Sequence, residues 1–109
     1  MTNSYIALDL ETTGLNPKSE FITEIAALRV EEGQVTGRLV TLVNPGKPLE
    51  ERITQLTGIT DAMLKEAPSM QDIAGEVLSF CSGLPLLGHN VIFDYSFLKQ
   101  TAIDLKIPF

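Results

Sequence analysis

Asp9 and Glu11 are the residues in this chain whose type and spacing point most directly to chemistry. They close a short apolar run, Tyr5 to Leu8, that reads as a buried strand. Side chains alternate along a strand, so both acids leave the same face with Cα atoms roughly 6–7 Å apart. Two carboxylates that close repel each other, and one keeps its proton unless a cation lies between them. Hard divalent ions such as Mg²⁺ or Mn²⁺ take this kind of oxygen ligand. Thr12, Thr13 and Gly14 then turn the chain and leave N–H groups and hydroxyls beside the acids. The plainer explanation is that Asp-x-Glu marks the solvated start of a loop. These ten residues alone leave both open.

The second informative stretch begins at His89-Asn90. From Val91 to about Leu105 the pattern is helical, with Ile92, Tyr95, Leu98 and Ala102 at mostly i+3/i+4 steps. Asp94 falls in the first turn, where the helix dipole favours an anion, so it is either a ligand or a favourable cap. Phe93 and Phe97 read equally as core or contact residues, and His89 reads as structural.

The elements that must position these groups follow from local signals. Phe21 to Val30 and Val35 to Val43 are rich in β-branched residues, and the turn signal Glu31-Glu32-Gly33-Gln34 makes them a hairpin. Asn44-Pro45-Gly46-Lys47-Pro48 stops that strand. A short helix is predicted over Glu50–Thr57 with Gly58 as its stop, and a second over Asp61 to Glu66, capped by Thr60. Ser69-Met70-Gln71-Asp72 resembles a capping box, and behind it Met70, Ile73, Val77, Phe80 and Cys81 recur as a core stripe. Leu84 to Gly88 supplies a brief fourth strand.

Composition narrows the class. The chain has 109 residues, 44% apolar and 20% charged, enough for one domain with a core. A net charge of −6 argues against holding nucleic acid by a broad basic surface. It leaves room for an enzyme whose phosphate contacts run through metal ions. Cys81 is the only cysteine, so no internal disulfide can form. With no basic n-region and no long apolar stretch, the expectation is a cytoplasmic protein without a signal peptide or membrane span.

Taken together, DLETTG near the start, ITQLTGIT in the middle and HNVIFDYSFL near the end resemble the DEDD-type 3′–5′ exonucleases of the ribonuclease H-like superfamily. The resemblance is nearest to the proofreading exonucleases of bacterial DNA polymerase III, as epsilon subunit or polymerase-embedded domain. It implies an α/β fold, a ribonuclease H-like mixed sheet flanked by helices. It also implies catalytic and metal-binding roles for Asp9, Glu11 and Asp94 around two Mg²⁺ or Mn²⁺ ions. Thr12, Thr13, Gly14, Leu15, Asn90 and Phe93 would then meet the substrate, a single-stranded or frayed DNA 3′ end. DNA polymerase III subunits are implied as partners.

The family pattern also calls for a third motif downstream of the second, a histidine general base and a fourth carboxylate. His89, the only histidine, already belongs to the second motif. The expectation is therefore that residues 1–109 are the N-terminal two-thirds of an exonuclease domain, lacking the C-terminal strand and helix. Catalysis would be impaired, and an open sheet edge would invite self-association. The alternative from another class is a non-catalytic remnant of the fold that binds a partner protein or a nucleic-acid end.

Overall fold

The computed structural model describes residues 3–109. Three antiparallel strands and one short parallel strand form a sheet in the order β3-β2-β1-β4. Strand β1 spans Tyr5–Thr12, β2 Ile22–Glu31 and β3 Gln34–Leu42. Helices α1 (Glu51–Thr57), α2 (Asp61–Lys65) and α3 (Met70–Phe80) lead to β4 (Leu86–Leu87), and α4 (Val91–Leu105) follows.

Period-two burial builds the sheet. Ile6, Leu8 and Leu10 on β1 and Ile25 and Ala27 on β2 turn inward. Val77, Leu78 and Cys81, at or just past α3, and Phe97, Leu98 and Ala102 of α4 complete the same core. Truncating a residue as enclosed as Leu98 to alanine costs about 2–5 kcal/mol. The opposite face of β1 carries Tyr5, Ala7, Asp9 and Glu11, and it stays partly open.

Local chemistry sets the turns. Glu32 and Gly33 both have positive φ, 52° and 78°, which is the backbone a two-residue hairpin loop needs to match strand twist. Gly58 ends α1 in the left-handed region at φ 78°. The Thr60 hydroxyl accepts from the Met63 N–H, and the Ser69 hydroxyl from the Asp72 N–H at 3.2 Å.

Strand β1 runs through both acids, as expected, and on to Thr12, because β2 pairs with it along its whole length. Other expectations are corrected. In α3 the enclosed residues include Ala74 and Leu78, while Met70, Ile73 and Phe80 pack at the core's margin. The inward face of α4 is Asp94, Phe97, Leu98 and Ala102. Ile92 is 80% exposed, and Tyr95 turns outward to stack on Phe109 at 5.9 Å. Apolar residues occur all round this helix, so its spacing did not fix which side is buried. The fourth strand is only two residues long.

Candidate active site

Asp9 and Glu11 sit on the open face of β1, separated by the buried Leu10. Across the ladder they face Ala26 and Glu24. Just beyond, the register shifts: Glu11 pairs with Glu24 but Thr12 with Ile22. The extra residue, Thr23, is fully buried and its hydroxyl has no partner. Such a bulge re-aims the strand end, and beyond it Thr12 pairs with Ile22 while Thr13 bonds to Phe21.

Asp94 arrives from the other end of the chain. Gly88 brings the β4–α4 connection hard against β1: a Cβ there would stand 2.7 Å from the Leu8 carbonyl oxygen and 3.4 Å from Asp94 Oδ2. The Asp94 side chain is therefore seated beside the backbone of β1, and the residue is only 5% exposed. Burial, then the Asp9 charge and more weakly that of Glu11, push its pKa up to about 6, against a lowering by the Leu10 backbone amide. Glu11 is raised too, by burial first and then by Asp9 and Glu24. The three acids feel one another's charge, and among the described residues none of them forms an ion pair.

They do not form a closed metal cage. Among the described residues no three His, Cys, Asp or Glu side chains stand close enough together to hold an ion. In kind and charge the set nevertheless fits a hard divalent cation: oxygen donors only, mutually repelling, one of them buried and without a counter-ion. The enclosed space nearby is separate. A cavity of about 340 Å³ lies beside the β1–β2 loop, lined among others by Phe21, Ile22, Val43, Met70, Phe97 and Leu105, and the acids do not line it.

The other expected contact residues fall into two groups. Leu15 projects from the loop at 83% exposure, and His89 and Asn90 are exposed at the start of α4. Asn90 makes no side-chain cap bond, so its amide is free for other partners. Phe93 is half-buried against Phe97, with ring centroids 5.0 Å apart. Thr12 and Thr13, by contrast, are engaged within the protein. The Thr12 hydroxyl donates to the Gly14 carbonyl at 2.6 Å, and Thr13 is bonded to both Glu20 and Phe21. Glu20 is the residue that sequence reasoning missed, since a carboxylate seven positions from its hydroxyl partner carries no local signature.

A central strand bearing two acids, a third acid at the start of a helix on the neighbouring connection, and this strand order define a ribonuclease H-like α/β domain with an acidic site. Residues 6–108 match the exonuclease family RNase_T, and the chain belongs to that family. Similar proteins include the PolC-type DNA polymerase III of Thermotoga petrophila, 36% identical over 97% of this chain and 8% of the relative. The PolC-type enzyme of Bacillus subtilis is 38% identical over 88% of this chain and 7% of its own length. The DNA polymerase III epsilon subunit of Aquifex aeolicus is 37% identical over 92% of this chain and 50% of its own length. The chain thus spans about 8% of the first PolC-type relative and half of the epsilon subunit. Among solved structures, apo exonuclease I superposes with a TM-score of 0.81 at 21% identity, covering 96% of this chain and 25% of that one. A zinc-bound complex of E. coli exonuclease I with single-stranded DNA gives 0.80 at 22%, over 96% and 24%. At these identities the superpositions establish the fold alone.

Proposed function

We propose that this chain is a metal-dependent 3′–5′ exonuclease domain that removes nucleotides from single-stranded or frayed DNA 3′ ends in proofreading or repair. The observation that carries the reading is Asp94, buried against β1 within electrostatic reach of Asp9 and Glu11 and without a cationic partner. Family membership adds the nuclease class, and the polymerase relatives add the DNA context.

Asp9, Glu11 and Asp94 would hold Mg²⁺ or Mn²⁺, two ions in a complete site. When bound, such ions supply an activated water and stabilise the leaving 3′ oxygen. The chain's own part is positional. The Thr12–Gly14 segment would offer backbone donors to the terminal nucleotide, Leu15 would wedge against its base, and Asn90 and Phe93 would close the far side. Thr13 would line the pocket without donating to the nucleotide, since both its N–H and its hydroxyl are already engaged within the protein. DNA polymerase III subunits are the proposed protein partners. A cytoplasmic setting accords with one free, buried cysteine, and no helix among the described residues is long and apolar enough to cross a membrane.

A general base contributes on the order of 10²–10⁴ in rate, and His89 is the one histidine among these 109 residues. Single-turnover digestion of an internally labelled single strand in Mn²⁺ should therefore be slow, should shorten the 3′ end and should stop with EDTA. Calorimetry should show Mn²⁺ binding that disappears in Asp9→Ala. Shortening from the 5′ end, or metal binding indifferent to Asp9→Ala, would overturn the proposal, the latter in favour of a binding module.

A further inference from the structure

The loop from Thr13 to Phe21 carries residues placed above at the terminal nucleotide, and its conformation converges on one carboxylate. The Thr13 N–H donates to the Phe21 carbonyl at 2.8 Å, and the Phe21 N–H donates to the Thr13 hydroxyl oxygen at 2.9 Å. That hydroxyl donates its own proton to Glu20 Oε1 at 2.7 Å. Thr13 is 6% exposed, which shelters its side of these bonds, while the accepting Glu20 side chain is 30% exposed. The Glu20 side chain also lies against Gly14: a Cβ at position 14 would stand 2.8 Å from both Glu20 Cγ and Cδ.

The same carboxylate reaches a second segment. Lys47 Nζ, from the chain just after β3, lies 3.5 Å from Glu20 Oε1 and 5.0 Å from the centre of the Phe21 ring. The Thr13 hydroxyl, together with the Lys47 and Arg52 charges, holds Glu20 below its ordinary carboxylate range against the opposing effect of burial. Glu20 thus joins Thr13, the Gly14 backbone and the segment after β3 while lying outside the buried core cluster. Its loss should disturb the loop without opening the core.

We infer that Glu20 is a positioning residue for the exonuclease site: through the Thr13 hydroxyl it fixes the Thr12–Gly14 backbone beside Asp9 and Glu11 in the arrangement that receives a terminal nucleotide. The inference rests on the function proposed above. It assigns Glu20 no contact with substrate or metal, and places its effect on nucleotide binding rather than on metal binding.

The test measures the full chain in Mn²⁺ with a labelled, phosphorothioate-linked thymidine hexamer, which binds but resists cleavage. Glu20→Ala should weaken hexamer binding roughly five- to tenfold, the effect of one sheltered hydrogen bond. Mn²⁺ affinity measured without DNA should change less than about twofold, since the metal ligands are untouched. Glu20→Gln keeps an acceptor for the Thr13 hydroxyl and should recover most of the binding. Thr13→Val removes the same bond together with the one from the Phe21 N–H, so it should weaken hexamer binding at least as much as Glu20→Ala, and the double variant should be no worse than Thr13→Val alone. Hexamer binding unchanged in Glu20→Ala, Mn²⁺ affinity falling in parallel, or failure of Glu20→Gln to recover would overturn the positioning role and leave the exonuclease reading standing. A wild-type chain that binds the hexamer no better than Asp9→Ala would bring down both.

Discussion

Asp94 holds its proton more tightly in the folded protein than in the unfolded chain, because burial and the charges of Asp9 and Glu11 all oppose its ionisation. An unfolded aspartate titrates near pH ~3.9, whereas Asp94 in the fold is pushed up to about 6. Between those values the folded state binds more protons, so this residue's contribution to stability falls as pH rises through the window. In EDTA, wild-type melting temperature should therefore drop from about pH 4 to pH 6 relative to Asp94→Asn, which cannot ionise. Above the window the variant should be the more stable protein, and Mn²⁺ should raise the wild type but not Asp94→Asn. Equal slopes for the two proteins in differential scanning calorimetry would remove the electrostatic basis of the site. Glu20 works in the opposite sense: its lowered pKa gives stability that is present above the unfolded value and lost on acidification, which is why the difference between the two proteins is the quantity to follow. At this scale the placement of the acids was legible in the sequence, since Asp-x-Glu on a strand and an aspartate in a helix's first turn are local patterns. Glu20 was not, because its role depends on a loop folding back on Thr13.

The elements show the same division between local and distant causes. Turns and caps were readable because each depends on a few neighbouring residues. Gly58, Thr60 and Ser69 act in the structure as their types predict. The side of α4 that faces the sheet was readable only in part: Leu98 and Ala102 of the expected stripe are buried, but Ile92 and Tyr95 are exposed and Phe97 is enclosed instead. Contact with β1, β4 and α3 selects the face, and that contact exists only after the sheet has formed. The β2–β3 turn offers a direct check on local control. Glu32 holds φ at 52°, a region that costs a residue with an ordinary side chain about 1–2 kcal/mol and that asparagine tolerates better. Glu32→Asn should raise unfolding stability in urea by roughly 0.5–1 kcal/mol with no change in metal or oligonucleotide binding. A neutral or destabilising result would show that the turn is held by its strands rather than by its own residues.

For the whole molecule, the sheet edges set how one copy meets another. Among the described residues β4 pairs only with β1, leaving its other side without a strand partner. Leu87 on that strand is 55% exposed, and by register it shares a face with Ala7 and Leu28. A short apolar edge favours association, while the net charge of −6 opposes it. Charges on separate copies are screened beyond about 8 Å at physiological ionic strength, and apolar contact is not. Salt should therefore decide the balance. Sedimentation and light scattering should show monomer in low salt and growing self-association as salt and protein concentration rise. Leu87→Lys puts a charge on the edge and should hold the chain monomeric under the same conditions, without altering its metal affinity. Salt-independent monomer at high concentration would mean that this edge is too short to template pairing. Association that ignores Leu87→Lys would move the contact to β3, where Val35 and Val40 are the exposed residues.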